Sequence, residues 1–140
     1  MKLSKERKIE VVIFIFASLI ILSSFVSFRS IHVKFHNKTG EDIDSLVIAG
    51  TFIGSLKKDQ STEYISFKEF EFDGDLPYEE ISGTTNNKKL DKLHWSWCGT
   101  ERNTKSKGSY IFDIRKAVND EGNPSLFLVA HNKKIFWEEK

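Results

Sequence analysis

The chain has 140 residues, of which 39% are hydrophobic and 29% charged, with a formal net charge of +1. So even a charge balance excludes a nucleic-acid binder, which needs a basic face to meet phosphates. A single cysteine, Cys98, excludes any intramolecular disulfide, so the fold has to rest on its core.

In chain order, four basic residues (Lys2, Lys5, Arg7, Lys8) precede Val11–Phe28, a run of eighteen residues without a charge. As a helix at about 1.5 Å per residue the run spans roughly 27 Å, close to the hydrocarbon core of a bilayer at about 30 Å. Basic residues ahead of it favour a cytoplasmic N-terminus. A cleaved signal peptide would need a small-x-small site, yet Ser24, Ser27 and Ser30 follow Leu22, Phe25 and Phe28 by two positions. A core helix would show one polar face, and this run is apolar all round. The reading is a cytoplasmic flank at 1–8, an uncleaved transmembrane signal-anchor helix at 9–28 and an extracytoplasmic domain at 29–140. That makes a single-pass protein of the cell membrane. The outer part carries 17 Lys+Arg against 18 Asp+Glu.

Ile31–His36 alternates apolar and polar residues, which predicts a half-buried strand. Asn37-Lys38-Thr39-Gly40 is turn chemistry and also a glycosylation sequon. Ile43–Ala49 and Thr51–Leu56 predict two more strands, the latter broken at Gly54. Between Thr62 and Phe72 the alternation changes phase, with Ile65 and Phe67 on one face and Phe70 and Phe72 on the other. Such a slip marks a bulge or a crossing between sheets. Asn86-Asn87 suits a two-residue hairpin turn with positive φ, flanked by Tyr78–Thr85 and Lys88–Cys98. Residues 99–108 read as a basic polar loop. Tyr110–Ile114 alternates again, with Tyr110, Phe112 and Ile114 inward, and Ile114–Asp120 is the one competing helical stretch. Leu126–Ala130 and Ile135–Trp137 close the chain as a hairpin around Asn132-Lys133. Seven or eight short strands with regular turns predict an all-β fold, an antiparallel β-sandwich behind one helix.

Asn37-x-Thr39-Gly40, Gly54-x-Leu56, Ser61-x-x-Tyr64 and Gly108-x-Tyr110-x-Phe112-x-Ile114 together resemble small bacterial cell-envelope domains that follow a signal or anchor segment. The resemblance implies an immunoglobulin-like sandwich over most of 31–115, with no assigned function and no functional residue to carry over.

Several side chains invite chemistry. His32/His36 and His94/Cys98 are each four apart, but on a strand four residues span about 13 Å, too far for two ligands each 2.0–2.3 Å from one zinc. A site from different strands would join His94 to His131. Cys98 with a histidine is a thiol-nucleophile candidate, against core packing at a strand end. Alternation sets Trp95 and Trp97 opposite His94, Ser96 and Cys98. If the tryptophans face outward with Tyr110 and Trp137, these four form an aromatic platform for a protein or glycan ligand. Acidic residues gather between Glu69 and Glu80 without the spacing of a calcium loop. Basic ones gather at Lys88, Lys89, Lys92, Arg102, Lys105 and Lys107. No Gly-rich phosphate loop, Gly-x-Ser-x-Gly or His-Glu-x-x-His is present, so no metal and no cofactor is expected. The function these features favour is a non-catalytic, membrane-anchored binding module, protective or accessory in the envelope. The alternative is a small envelope enzyme using Cys98 or paired carboxylates.

Overall fold

The structure is a computed structural model that describes residues 4–27, 30–95 and 101–131. After helix α1 (Lys5–Ser27) come eleven strands: β1 (Ile31–Asn37), β2 (Ile43–Ile48), β3 (Thr51–Leu56), β4 (Ile65–Phe67), β5 (Phe70–Asp73) and β6 (Leu76–Pro77), then β7 (Ile81–Thr85), β8 (Lys88–Leu90), β9 (Arg102–Lys105), β10 (Gly108–Val118) and β11 (Pro124–Ala130).

They form three sheets, in the orders β11-β10-β1-β4, β3-β2-β7-β8 and β6-β5-β9. The mostly-β expectation therefore stands, but the wholly antiparallel sandwich is corrected. β1 and β10 run parallel, from Ile31↔Gly108 to Asn37↔Ile114. Parallel neighbours need a long crossover, and here the chain from β2 to β9 supplies it. Local alternation, which is the same in either direction, does not carry this information.

The transmembrane anchor is corrected as well. Among the described residues no helix is long and apolar enough to cross a membrane. α1 starts at Lys5 and takes Lys5, Glu6, Arg7, Lys8 and Glu10 into its first turns. The uncharged part of α1 is Val11–Ser27. That is about 25 Å of helix, against a bilayer core of about 30 Å. Among the described residues its large side chains are exposed, Phe14 at 74% and Leu22 at 62%.

The core lies on the inner face of the first sheet. Ile31, Val33 and Phe35 of β1 and Phe112 and Ile114 of β10 meet Ile43, Leu46, Ile48 and Ile81 of the second sheet and Phe70 and Phe72 of the third. The phase slip after Phe67 is a crossing between sheets: β4 pairs with β1, and three positions later β5 pairs with β9. In β2, Ile43 and Leu46 are both buried although three apart. A register shift between them, with Ser45 at φ 51°, turns both inward, as a bulge does. Asn86 and Asn87 turn at φ 47° and 61°, the left-handed pair that joins two strands through two residues.

Two segments differ from expectation. Arg102–Lys105 is strand β9, not loop, because acidic β5 offers it a partner (Asp73↔Arg102, Phe70↔Lys105). Ile114–Val118 is strand, not helix, because β11 pairs with it through Val118↔Pro124. The expected strand Ile135–Trp137 and the turn at Asn132-Lys133 lie outside the described residues.

Gly83 shows how closely the sheets approach. A Cβ there would stand 2.6 Å from Ile43 Cγ2 and 3.6 Å from Leu126 Cδ1. Ile43 is fully buried and has nowhere to go. Gly83→Ala is expected to destabilise by about 1–3 kcal/mol through overpacking, read as a lower urea midpoint at unchanged slope.

Candidate functional site

β11 is buried on both sides. Leu126 and Leu128 face the main core, while Phe127 and Val129 face outward yet are 1% and 0% exposed. An arm that follows β8 accounts for part of that cover. Leaving the second sheet, the chain crosses to the first: Leu126 N donates to Asp91 O (2.9 Å) and Leu93 N donates to Leu126 O (2.7 Å). Extended backbone then alternates. Leu93 and Trp95 turn toward Phe127, Val129 and Ala117, while His94 between them is exposed.

Trp95 is held on several sides. Its indole Nε1 donates to Asp73 Oδ2 at 3.0 Å, and its ring stands edge-on to Tyr78 with centroids 4.5 Å apart. Lys92 Nζ and Arg102 Cζ each lie 3.4 Å from the Tyr78 ring centroid. Two cations at that distance fit only on opposite faces, so the ring is sandwiched, an arrangement its negative π-faces favour. Lys92 is buried, and its ammonium donates to Tyr78 O (3.0 Å) and to Glu80 Oε1 (3.3 Å). Arg102 Nε sits 3.5 Å from Asp73 Oδ2. A buried charge needs such partners. Asp73 is 3% exposed.

Between this arm and the β10–β11 turn lies an open cleft of about 1510 Å³. Leu93, Trp95 and Val118 supply apolar wall, and Val118 is 67% exposed. Lys88, Lys89, Lys92 and Lys116 line the cleft together with Asp91, Asp120 and Glu121. Chemically the cleft offers apolar wall beside charges of both signs, which suits holding an extended segment.

Of the four residues expected to form an aromatic platform, Trp95 is in the cleft. Tyr110 lies half-buried elsewhere, against Phe72 and Phe112 with centroids 5.5 and 5.7 Å away. Trp97 and Trp137 lie outside the described residues, as does Cys98. His94 and His131 are not brought together as a described pair. His131 Nδ1 meets Asp113 Oδ1 at 2.7 Å and its ring stacks on His36, while His32 meets Ser66 Oγ at 2.8 Å. No group of three metal-ligating side chains occurs among the described residues.

The acidic stretch is used within the fold. Glu79 Oε2 accepts from Glu71 N at 2.8 Å, and Asp75 faces Lys105 at 3.9 Å. The basic residues separate into Lys88 and Lys89 at the cleft and Arg102 and Lys105 on β9. Sequence reasoning missed the Tyr78–Lys92–Arg102–Asp73 cluster. The one available signal was that an acidic stretch (Glu69–Glu80) and a basic one (Lys88–Lys107) of opposite sign follow one another. No family model, no curated protein and no solved structure gives a significant match to this chain, so the resemblance to cell-envelope immunoglobulin-like domains draws no support from them.

Proposed function

We propose that the protein is a non-catalytic interaction module that holds an extended segment of a protein partner in the Trp95–Val118 cleft. The observation that carries this reading is an open cleft beside a tryptophan that internal contacts already fix, so little ordering is left for a ligand to impose. A protein segment suits it better than a sugar. The indole N–H is already used by Asp73 and Trp95 is half-buried, whereas sugar stacking needs an open ring face. Exposed Val118, also in the lining, is an apolar contact for a side chain, and lining charges of both signs suit a segment carrying both.

The test is selection of displayed ten-residue peptides against the full chain, followed by affinity measurement on Val118→Glu. Because Val118 is exposed, the substitution leaves stability within about 0.5 kcal/mol. Affinity for the selected peptides is expected to fall at least about tenfold, as placing a charge against an apolar contact does. Peptides that bind both chains equally, or a selection yielding none, would overturn the reading.

A further inference from the structure

On the outer face of the first sheet, away from the cleft, His36 and His131 stack with ring centroids 4.4 Å apart and planes 18° from parallel. His36 is on β1 and His131 directly follows β11, two strands that are not neighbours: β10 lies between them. Beneath them is Asp113, the register partner of His36 and 2% exposed. Asp113 Oδ1 accepts from His131 Nδ1 at 2.7 Å, and its Oδ2 faces Arg115 at 3.4 Å. A carboxylate only accepts, so His131 Nδ1 carries a proton in either charge state, and Asp113 fixes the ring. His131 N also donates to Ile111 O at 3.0 Å. His36 is therefore the outer, less anchored member of the stack.

We infer that the His36–His131 stack is a proton-operated latch, closed when His36 is neutral and opened by its protonation, that ties the end of β11 to β1 across β10. A neutral imidazole lies comfortably on its neighbour, whereas a cation there meets positive charge from several sides. Lys34 on β1, Lys38 just past its end and His131 each act on His36 in the sense of positive charge, and Arg115 is on β10. Asp113 is the one opposing anion among the charged groups that act on His36. Burial, then His131, hold the His36 pKa below its ordinary 6.5, and Asp113 offsets this in part. The open form consequently binds the proton more readily than the closed one. By linkage the closed form is fully favoured above pH 6.5 and loses stability as pH falls below it.

The experiment follows histidine ring resonances and amide hydrogen exchange of the full chain between pH 5.0 and 7.5. His36 is expected to titrate below 6.5, with the His131 ring responding at the same midpoint. After correction for intrinsic rates, protection of the His131 amide should fall about tenfold across that titration, while protection of the Val33 amide in central β1 stays constant. His36→Phe keeps a ring on the stack without a titratable nitrogen and should abolish the step. His36→Gln serves the same purpose should the phenylalanine fail to fold. Constant His131 protection in the unaltered chain, or a step that survives in the substituted one, overturns the latch.

Discussion

Replacing Phe35 with alanine is expected to cost about 3–5 kcal/mol, a large share of the about 5–15 kcal/mol that holds a domain of ordinary stability. Phe35 is fully buried on β1, between β10 and β4. Its ring meets Phe67 edge-on at 6.1 Å and lies 6.4 Å from both Phe70 and Phe112. These three come from β4, β5 and β10, so one ring joins the first sheet to the third. Truncation removes buried apolar surface and leaves a void bounded by rigid rings that cannot collapse into it. Urea unfolding should show a much lower midpoint. Phe35→Leu fills most of the same space and should cost markedly less. Equal midpoints for the two variants would mean that the ring contacts are not what holds the sheets together.

The strands along β1, β2, β3 and the β7–β8 hairpin were legible because each is written in local grammar. Alternation names the buried face, and Asn86-Asn87 names the turn. What was not legible depends on partners distant in sequence. Nothing within 102–105 says strand until β5 lies beside it, and nothing within 114–118 says strand until β11 does. Phe127 and Val129 look like the solvent side of an alternating strand, and part of what buries them is the Leu93–Trp95 arm that crosses them. The helix reading failed differently. The anchor expected at 9–28 holds one charge, Glu10, whereas α1 starts at Lys5 and takes a cluster of charges into its own first turns. For the candidate site, sequence singled out Trp95 as an aromatic of interest, but neither the cleft nor the Tyr78 sandwich. Lys92 reads as a surface lysine in any window of sequence, since its burial is set by a carbonyl fourteen residues upstream.

The histidine pairs teach the same lesson from the other side. Strand geometry correctly separated His32 from His36, and the partner that His36 does find, His131, is 95 positions away in the sequence. Spacing arguments can dissolve a local site. They do not assemble one across a parallel pairing, because the direction of β10 relative to β1 is not encoded in either strand.

Asn37→Asp, a change of one amide nitrogen to oxygen, is expected to destabilise about as much as the loss of Phe35, by about 3–5 kcal/mol at neutral pH. Asn37 ends β1 and is fully buried. Its Nδ2 donates to Glu41 O at 2.7 Å and to Leu56 O at 2.9 Å. Its Oδ1 accepts from Thr39 N at 3.1 Å and Thr39 Oγ1 at 2.7 Å. Every capacity of the amide is used, and the four bonds fold the 37–41 turn onto the end of β3. A carboxylate keeps the two acceptor bonds but points its second oxygen at two carbonyl oxygens, so both bonds are lost and like partial charges are forced together. The introduced acid answers by holding its proton in the folded state, with a pKa above the unfolded value of about 3.9. Folded chains then bind more protons than unfolded ones above that value, so the deficit is smallest in acid and grows as pH rises through the raised pKa. Unfolding midpoints measured against the unaltered chain at pH 3.5 and 7 should show this divergence. Asn37→Ala loses the same bonds without the charge, and its deficit should not change with pH. A pH-independent Asn37→Asp would mean that the side chain escapes to solvent. The four bonds also settle the sequon, since both Asn37 and the Thr39 hydroxyl are occupied inside the fold and the folded chain presents no acceptor there.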